Sequence, residues 1–81
     1  MRFTLFRQVA LTRDIPEEGL KKGDLAMVVD HHPGSDGEDG YSLEVFNAVG
    51  ETIAVTIVPE SAIAALRPDQ ILSARPLAKT A

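Results

Sequence analysis

Two adjacent histidines beside a run of acids are the residues of this sequence best suited to metal chemistry. His31 and His32 share one stretch with the acids Asp30, Asp36, Glu38 and Asp39. Neutral imidazole and carboxylate groups are good ligands for zinc or nickel. However, adjacent side chains on an extended chain point in opposite directions, and the glycines of this loop do not hold ligands in place. We therefore expect a solvated loop with ordinary histidines, no metal site and no cofactor.

Catalytic chemistry has little support in the residues. The chain has no cysteine, and none of its serines lies in a Gly-x-Ser-x-Gly motif. Glu44 with Glu51 or Glu60 could act as an acid–base pair, but strand alternation predicts that Glu44 points outward into water. The interior of a small β-barrel, the fold that we predict for this chain, has no room for a pocket of about 300 Å³. We predict a protein that is not an enzyme and binds no small-molecule substrate.

The charge composition argues against nucleic acid as a partner. The chain has 8 Lys and Arg against 12 Asp and Glu, a net charge of −4, whereas neutralising phosphates requires clustered basic residues. No apolar run approaches the ~20 residues that cross a bilayer. Arg7 also interrupts any apolar stretch of a signal peptide. We expect a cytoplasmic protein that binds neither nucleic acid nor membrane.

The stretch from Tyr41 to Val58 organises the elements that must position these residues. Large apolar residues alternate with smaller or polar ones on two arms: Tyr41, Leu43 and Val45 on the first, and Ile53, Val55 and Ile57 on the second. A side-chain period of two is typical of a strand with one face in a core. The residues at 47–50 can reverse the chain. We predict a β-hairpin whose core face carries these six apolar side chains.

Three further strands are predicted around the hairpin, at 8–12, 24–30 and 70–75. The predicted core face of the second carries Leu25, Met27 and Val29, with Ala26 and Val28 on the opposite face. We predict a helical turn within 59–66, before the last strand, because alanines favour helix there. The turn ends before Pro68, because the residue that precedes a proline avoids the helical conformation.

Two long loops join these strands. The loop at 13–23 is expected to be ordered, with Ile15 and Leu20 pointing inward and room for only a turn of helix after Pro16. The loop at 31–40 is rich in glycine and acids, and we expect it to be flexible and solvated.

This order of elements predicts a mainly β protein: an SH3-like small barrel of five short antiparallel strands, with one helical turn before the last strand. Eighty-one residues allow one domain. We place its boundaries at 1–81, with a core at 8–75 and a loose tail at 76–81.

Several stretches also resemble a known family. The sequences DIPEEGLKKGD (14–24), Met27-Val28-Val29 and GYSLEVFNAVGETIAVTIV (40–58) are similar to Domain of Unknown Function 4926, a bacterial family common in cyanobacteria. The resemblance extends from Val9 to Arg75, with Ala26 standing where relatives often carry glycine. It implies an SH3-like barrel without established catalytic residues. Because family members are often encoded beside another small protein, it also implies an antitoxin-like role in protein binding.

The second face of the predicted sheet is more apolar than a small barrel requires. Phe46 and Val28 lie on this face. Either the N-terminal segment or the helical turn covers them, or they form an exposed binding patch. Acids in the two long loops would surround such a patch as a charged rim. The candidate protein-binding residues are Glu17, Glu18, Val28, Asp36, Glu38, Asp39 and Phe46.

We therefore predict a non-enzymatic protein-interaction module. Its partner would be a basic protein encoded by a neighbouring gene, or a second copy of the chain in a homodimer. The alternative is a small accessory or regulatory subunit of a larger complex.

Overall fold

The computed structural model describes residues 2–77, which form one five-stranded antiparallel sheet. The strands are β1 (Gln8–Leu11), β2 (Leu25–His32), β3 (Gly40–Phe46), β4 (Thr52–Pro59) and β5 (Ile63–Ala65). Single turns of 3-10 helix lie at Pro16–Glu18 and Glu60–Ala62. The predicted mainly β class, with a helical turn before the last strand, is confirmed. No helix within residues 2–77 is long and apolar enough to span a membrane.

The strands lie in the order β4-β3-β2-β1-β5. Consecutive strands from β1 to β4 pair with one another, and β5 returns to the far side of β1, where Ile63 pairs with Leu11. Within residues 2–77, the two end strands β4 and β5 do not pair with each other. The sheet is therefore open in its hydrogen bonding, and the closed SH3-like barrel stays a prediction.

The long loop between β1 and β2 is ordered, as predicted. Ile15 and Leu20 are both buried, and each backbone N–H donates to the other residue's carbonyl, at 2.9 and 3.1 Å. Gly19 ends the 3-10 turn between them with φ of 69°, a left-handed conformation that glycine adopts without steric cost. The two buried side chains thus close the loop onto the core.

The predicted position of the last strand is wrong. β5 follows the 3-10 turn directly at Ile63–Ala65, while 70–75 is irregular and both Ile71 and Leu72 are exposed. Only Ile63 of the three β5 residues is buried. A strand of three residues is too short for alternation to reveal it in the sequence. Most of the predicted tail, 78–81, lies outside the described residues.

The core lies on one face of the sheet and includes the predicted residues of β3, which are Tyr41, Leu43 and Val45. The ring of Phe3 meets that of Tyr41 edge-on, with centroids 5.4 Å apart. The buried Tyr41 hydroxyl accepts hydrogen bonds from the Arg2 and Phe3 N–H groups and donates one to Glu60. The N-terminal segment thus covers one end of the core. Its backbone also provides hydrogen bonds to the hydroxyl of Tyr41, the largest fully buried side chain of the core.

The predicted core face of β4 is wrong, and a β-bulge beside β3 accounts for the error. Phe46 pairs with Thr52, but the next pair is Val45 with Ala54, so Ile53 is an extra residue. A shift of one residue moves every following side chain to the other face of the sheet. The residues that point outward are therefore Ile53, Val55 and Ile57.

The predicted core face of β2 is wrong for the same reason. His31 pairs with Tyr41, but Val28 pairs with Leu43, and the register shifts between Val28 and Asp30. Before the shift, the buried residues of β2 are Ala26 and Val28. The predicted core residues Leu25, Met27 and Val29 are only partly buried.

Candidate interaction site

The face of the sheet turned away from the core, which we call the outer face, carries large aliphatic side chains along β4. Val55 is 63% exposed and Ile57 is 65% exposed, and Ile53 also lies at the surface. The three residues alternate with Ala54 and Thr56 and therefore share one side of the strand. Aliphatic side chains aligned in this way offer apolar contact area to a partner.

Phe46 stands at the end of β3, beside the bulge, and is 37% exposed. It lines an open groove of about 900 Å³ together with Ile53 and the irregular segment that includes Ile71 and Leu72. Neither the N-terminal segment nor the helical turn covers it completely. The apolar surface therefore continues from β4 into this groove.

Val28, the other residue predicted for an exposed patch, is 0% exposed. The bulge in β2 turns it toward the core, where it pairs with Leu43 of β3. Val28 is therefore a core residue, and its prediction as part of a binding surface is wrong.

An ion pair between Asp24 and Arg75 holds the irregular C-terminal segment against the sheet. The Arg75 guanidinium donates from Nε to Asp24 Oδ1 at 2.8 Å and from Nη2 to the Gly19 carbonyl at 3.2 Å. Asp24 also accepts the Lys21 N–H at 2.8 Å. The hydrogen bond from Arg75 is the main reason that the pKa of Asp24 lies below its ordinary value. Sequence reasoning missed this pair.

The acidic loop between β2 and β3 is exposed at 33–38 and is also held by hydrogen bonds to its carboxylates. Glu38 accepts the Ser61 N–H at 2.6 Å and the Ser61 hydroxyl at 3.1 Å. Asp39 accepts the Gly34 N–H at 2.9 Å and lies 2.7 Å from His31 Nε2. The Gly34 N–H, and then His31, hold the pKa of Asp39 below its ordinary value. The predicted solvation of the loop is therefore confirmed at 33–38, although its carboxylates also bind the loop's own backbone and its neighbours, and its flexibility stays a prediction.

The other acids predicted for a charged rim, Glu17, Glu18 and Asp36, are exposed. Glu17 and Glu18 lie in the 3-10 turn of the long loop. Ser61 links the bases of the two loops, since it binds Glu38 on one side and its carbonyl accepts the Thr12 hydroxyl at 2.7 Å on the other. A single acidic rim formed by both loops stays a prediction.

The adjacent histidines contact different neighbours. The His31 ring lies against Tyr41, with centroids 5.1 Å apart. His32 Nε2 lies 2.7 Å from the Ser42 hydroxyl. In the part of the chain that the structure describes, no three His, Cys, Asp or Glu side chains converge as a metal-binding group would.

The chain matches the model of one protein family, described as Domain of unknown function (DUF4926), over residues 5–72. No curated protein and no solved structure matches the chain. The matched range contains all five strands, both loops and Phe46. Asp24 lies inside this range and Arg75 lies outside it.

Proposed function

The chain belongs to the DUF4926 family, and we propose that it is a non-enzymatic protein-interaction module. The observation that carries the proposal is the outer face of the sheet, where Phe46, Ile53, Val55 and Ile57 lie at the surface. An apolar centre beside polar surroundings is the usual anatomy of a protein-binding surface. Aromatic residues such as Phe46 are enriched in such surfaces, and buried anchors dominate their binding energy.

The charge of the chain favours a basic protein as the partner. The net charge is −4, and Glu17, Glu18 and Asp36 are exposed. Opposite charges around an interface accelerate the encounter of two proteins. A basic protein encoded by a neighbouring gene, in an antitoxin-like arrangement, fits this description. The lack of cysteine suits the reducing conditions of the cytoplasm, where we place the module.

The test combines affinity capture with binding kinetics. The tagged full chain and its Phe46→Ala variant are incubated with native lysate, captured proteins are identified by mass spectrometry, and the partner is purified. We expect Phe46→Ala to accelerate dissociation of that partner at least tenfold, about 1.4 kcal/mol. Charge reversal at Glu17 and Glu18 should instead slow association and weaken its dependence on salt.

Phe6→Ala is the matched control, because Phe6 is an exposed aromatic residue in the segment before β1. It should leave dissociation unchanged. Equal effects of the two phenylalanine variants, or the absence of a specific partner, would contradict the proposal. If circular dichroism shows that Phe46→Ala unfolds the protein, Phe46 is a core residue and the surface is not the one proposed.

A further inference from the structure

We propose that two copies of this chain pair through the free edge of β4, antiparallel, about a two-fold axis at Val55. This inference rests on the proposed function, protein interaction, and names a second copy of the chain as a partner that binds along the strand edge bordering the outer face. It follows from three features of β4: its unpaired backbone, its matching side chains and its lack of charge.

The first feature is the direction of the β4 backbone groups. β4 is an end strand, and within residues 2–77 no strand pairs with its other side. The Glu60 N–H donates to the Asp39 carbonyl at 2.8 Å, and the pairing continues without a shift from Gly40–Pro59 to Val45–Ala54. Hydrogen-bonded pairs recur at every second residue of an antiparallel ladder. Counted from Glu60, the residues of β4 that bond to β3 are the even-numbered ones. Val55 and Ile57 lie between them and therefore direct their N–H and C=O groups to the free edge.

The second feature is that the side chains of β4 match those of an antiparallel copy. A two-fold axis at Val55 places this residue opposite Val55 of the second copy, and Ile53 opposite Ile57. All three side chains lie on the outer face, so the paired copies form one continuous aliphatic stripe. On the core side, Ala54 lies opposite Thr56. Cross-strand pairs of this kind stabilise a sheet, and the interface is self-complementary, as two-fold symmetry requires.

The third feature is that β4 carries little of the usual protection against such pairing. Sheets usually protect their edges with a short strand, with charged side chains such as lysine, with proline inside the strand, or with a β-bulge. The bulge of β4 lies near its start, at Ile53, and regular pairing with β3 continues from Ala54 to Pro59. β4 has eight residues, and its proline is the last of them. None of these residues is charged, although the whole chain carries a net charge of −4. Two acidic chains can therefore meet along an uncharged strand, away from most of their mutual repulsion.

The geometry gives a closed dimer rather than a filament. Pairing about a two-fold axis uses the β4 edge of both copies. The other end strand, β5, has only three residues, which is short for a second pairing surface. One strand edge per copy is a small interface, so the dimer should dissociate on dilution.

The test uses opposite charges at the two-fold axis. Val55→Lys and Val55→Glu each place two like charges opposite each other in a dimer. Each variant alone should therefore dimerise with a dissociation constant at least tenfold higher than that of wild type. A one-to-one mixture of the two variants should recover the dimer, because the substituted side chains then attract. Sedimentation velocity of the full chain over a range of concentrations measures this, and added salt should favour the wild-type dimer by screening its net charge.

Val49→Lys is the matched control, because Val49 is an exposed residue of the β3–β4 turn and its substitution adds the same charge outside β4. This variant should dimerise like wild type. Circular dichroism checks that all variants are folded. The inference is overturned if wild type is monomeric at every concentration, if the Val55 variants dimerise normally, if their mixture does not recover, or if larger open assemblies form.

The proposed function can fail or hold independently. A monomeric wild type that still captures a Phe46-dependent partner overturns the dimer alone. A dimer with the expected charge dependence that captures no other protein supports the dimer and contradicts the basic partner.

Discussion

β3 and β4 are the two arms of one hairpin, yet they use their large apolar residues in opposite ways. β3 directs Tyr41, Leu43 and Val45 into the core, whereas β4 directs Ile53, Val55 and Ile57 to the surface. Both arms show the same alternation in sequence. A period of two therefore indicates a strand but does not determine which set of residues is buried. The pairing register decides that.

The turn of this hairpin shows how one residue changes the outcome. A regular ladder continued from the Phe46–Thr52 pair would place Val45 opposite Ile53 and Leu43 opposite Val55, and both arms would then fill the core. The bulge instead pairs Val45 with Ala54. β2 repeats the effect on the other side of β3, where the shift between Val28 and Asp30 exchanges its faces.

In the part of β4 that follows its bulge, small residues lie inside and large ones outside. Ala54 and Thr56 lie on the core side of β4, where β3 and Phe3 already supply large side chains. The aliphatic residues of the outer face therefore contribute little to the core of the single chain. Their exposed area remains available for association, and this links the register of the sheet to the proposed function.

The largest expected difference between the two arms is in the free energy of unfolding. Leu43→Ala removes a completely buried side chain and should cost about 2–5 kcal/mol, including the cavity that it leaves. Ile57→Ala removes a mostly exposed side chain and should cost less than about 1 kcal/mol. Urea denaturation followed by circular dichroism measures both. Similar losses for the two variants would show that Ile57 also belongs to the core.

Much of the fold could be predicted from the sequence, because its signals are local. Alternation indicated β3, the turn residues located the hairpin loop, and the spacing of Pro16 and Gly19 left room for no more than one helical turn in the long loop. Which residues of β2 and β4 face the core could not be predicted. Their bulges lie at Val29 and Ile53, where no glycine marks a break in the strand.

The candidate site was harder to predict because its contacts join distant residues. Phe46 was correctly placed on the face opposite the β3 core residues. Arg75, however, is 51 residues from Asp24, and Ser61 is 23 residues from Glu38. No periodicity or motif reports ion pairs and loop anchors of this kind, which exist only once the sheet has formed.

The second prediction concerns the segment that borders the outer face and depends on pH. The carboxyl of Asp24 has its pKa lowered from the ordinary value of 3.8, mainly by Arg75. A group with a lowered folded-state pKa stabilises the fold above its unfolded pKa and loses this contribution as pH falls through the folded value. Asp24→Asn should therefore cost about 0.5–1 kcal/mol at pH 7, the range of partly exposed ion pairs.

The difference between wild type and Asp24→Asn should stay constant from pH 7 to 5 and shrink below pH 4. Urea denaturation at several pH values measures it. Asp69→Asn is the control, because Asp69 pairs with Arg67 at a well-exposed site and its loss should change stability little. A difference that grows as the pH falls would mean that the Asp24 carboxylate does not stabilise the folded state.

The prediction with the smallest effect tests most directly which residues of β4 face the core. It uses two substitutions at neighbouring positions. Thr56 lies on the core side opposite Leu43, so Thr56→Val replaces a hydroxyl by a partly buried methyl group and should stabilise the protein by up to about 0.8 kcal/mol. Val55→Thr changes an exposed side chain and should alter stability by less than about 0.5 kcal/mol. Urea denaturation at low protein concentration measures both without a contribution from dimerisation. If the unshifted ladder were correct, Val55→Thr would be the destabilising change and Thr56→Val would be neutral. The order of the two effects therefore reports which face of β4 meets the core, independently of any partner that covers the outer face.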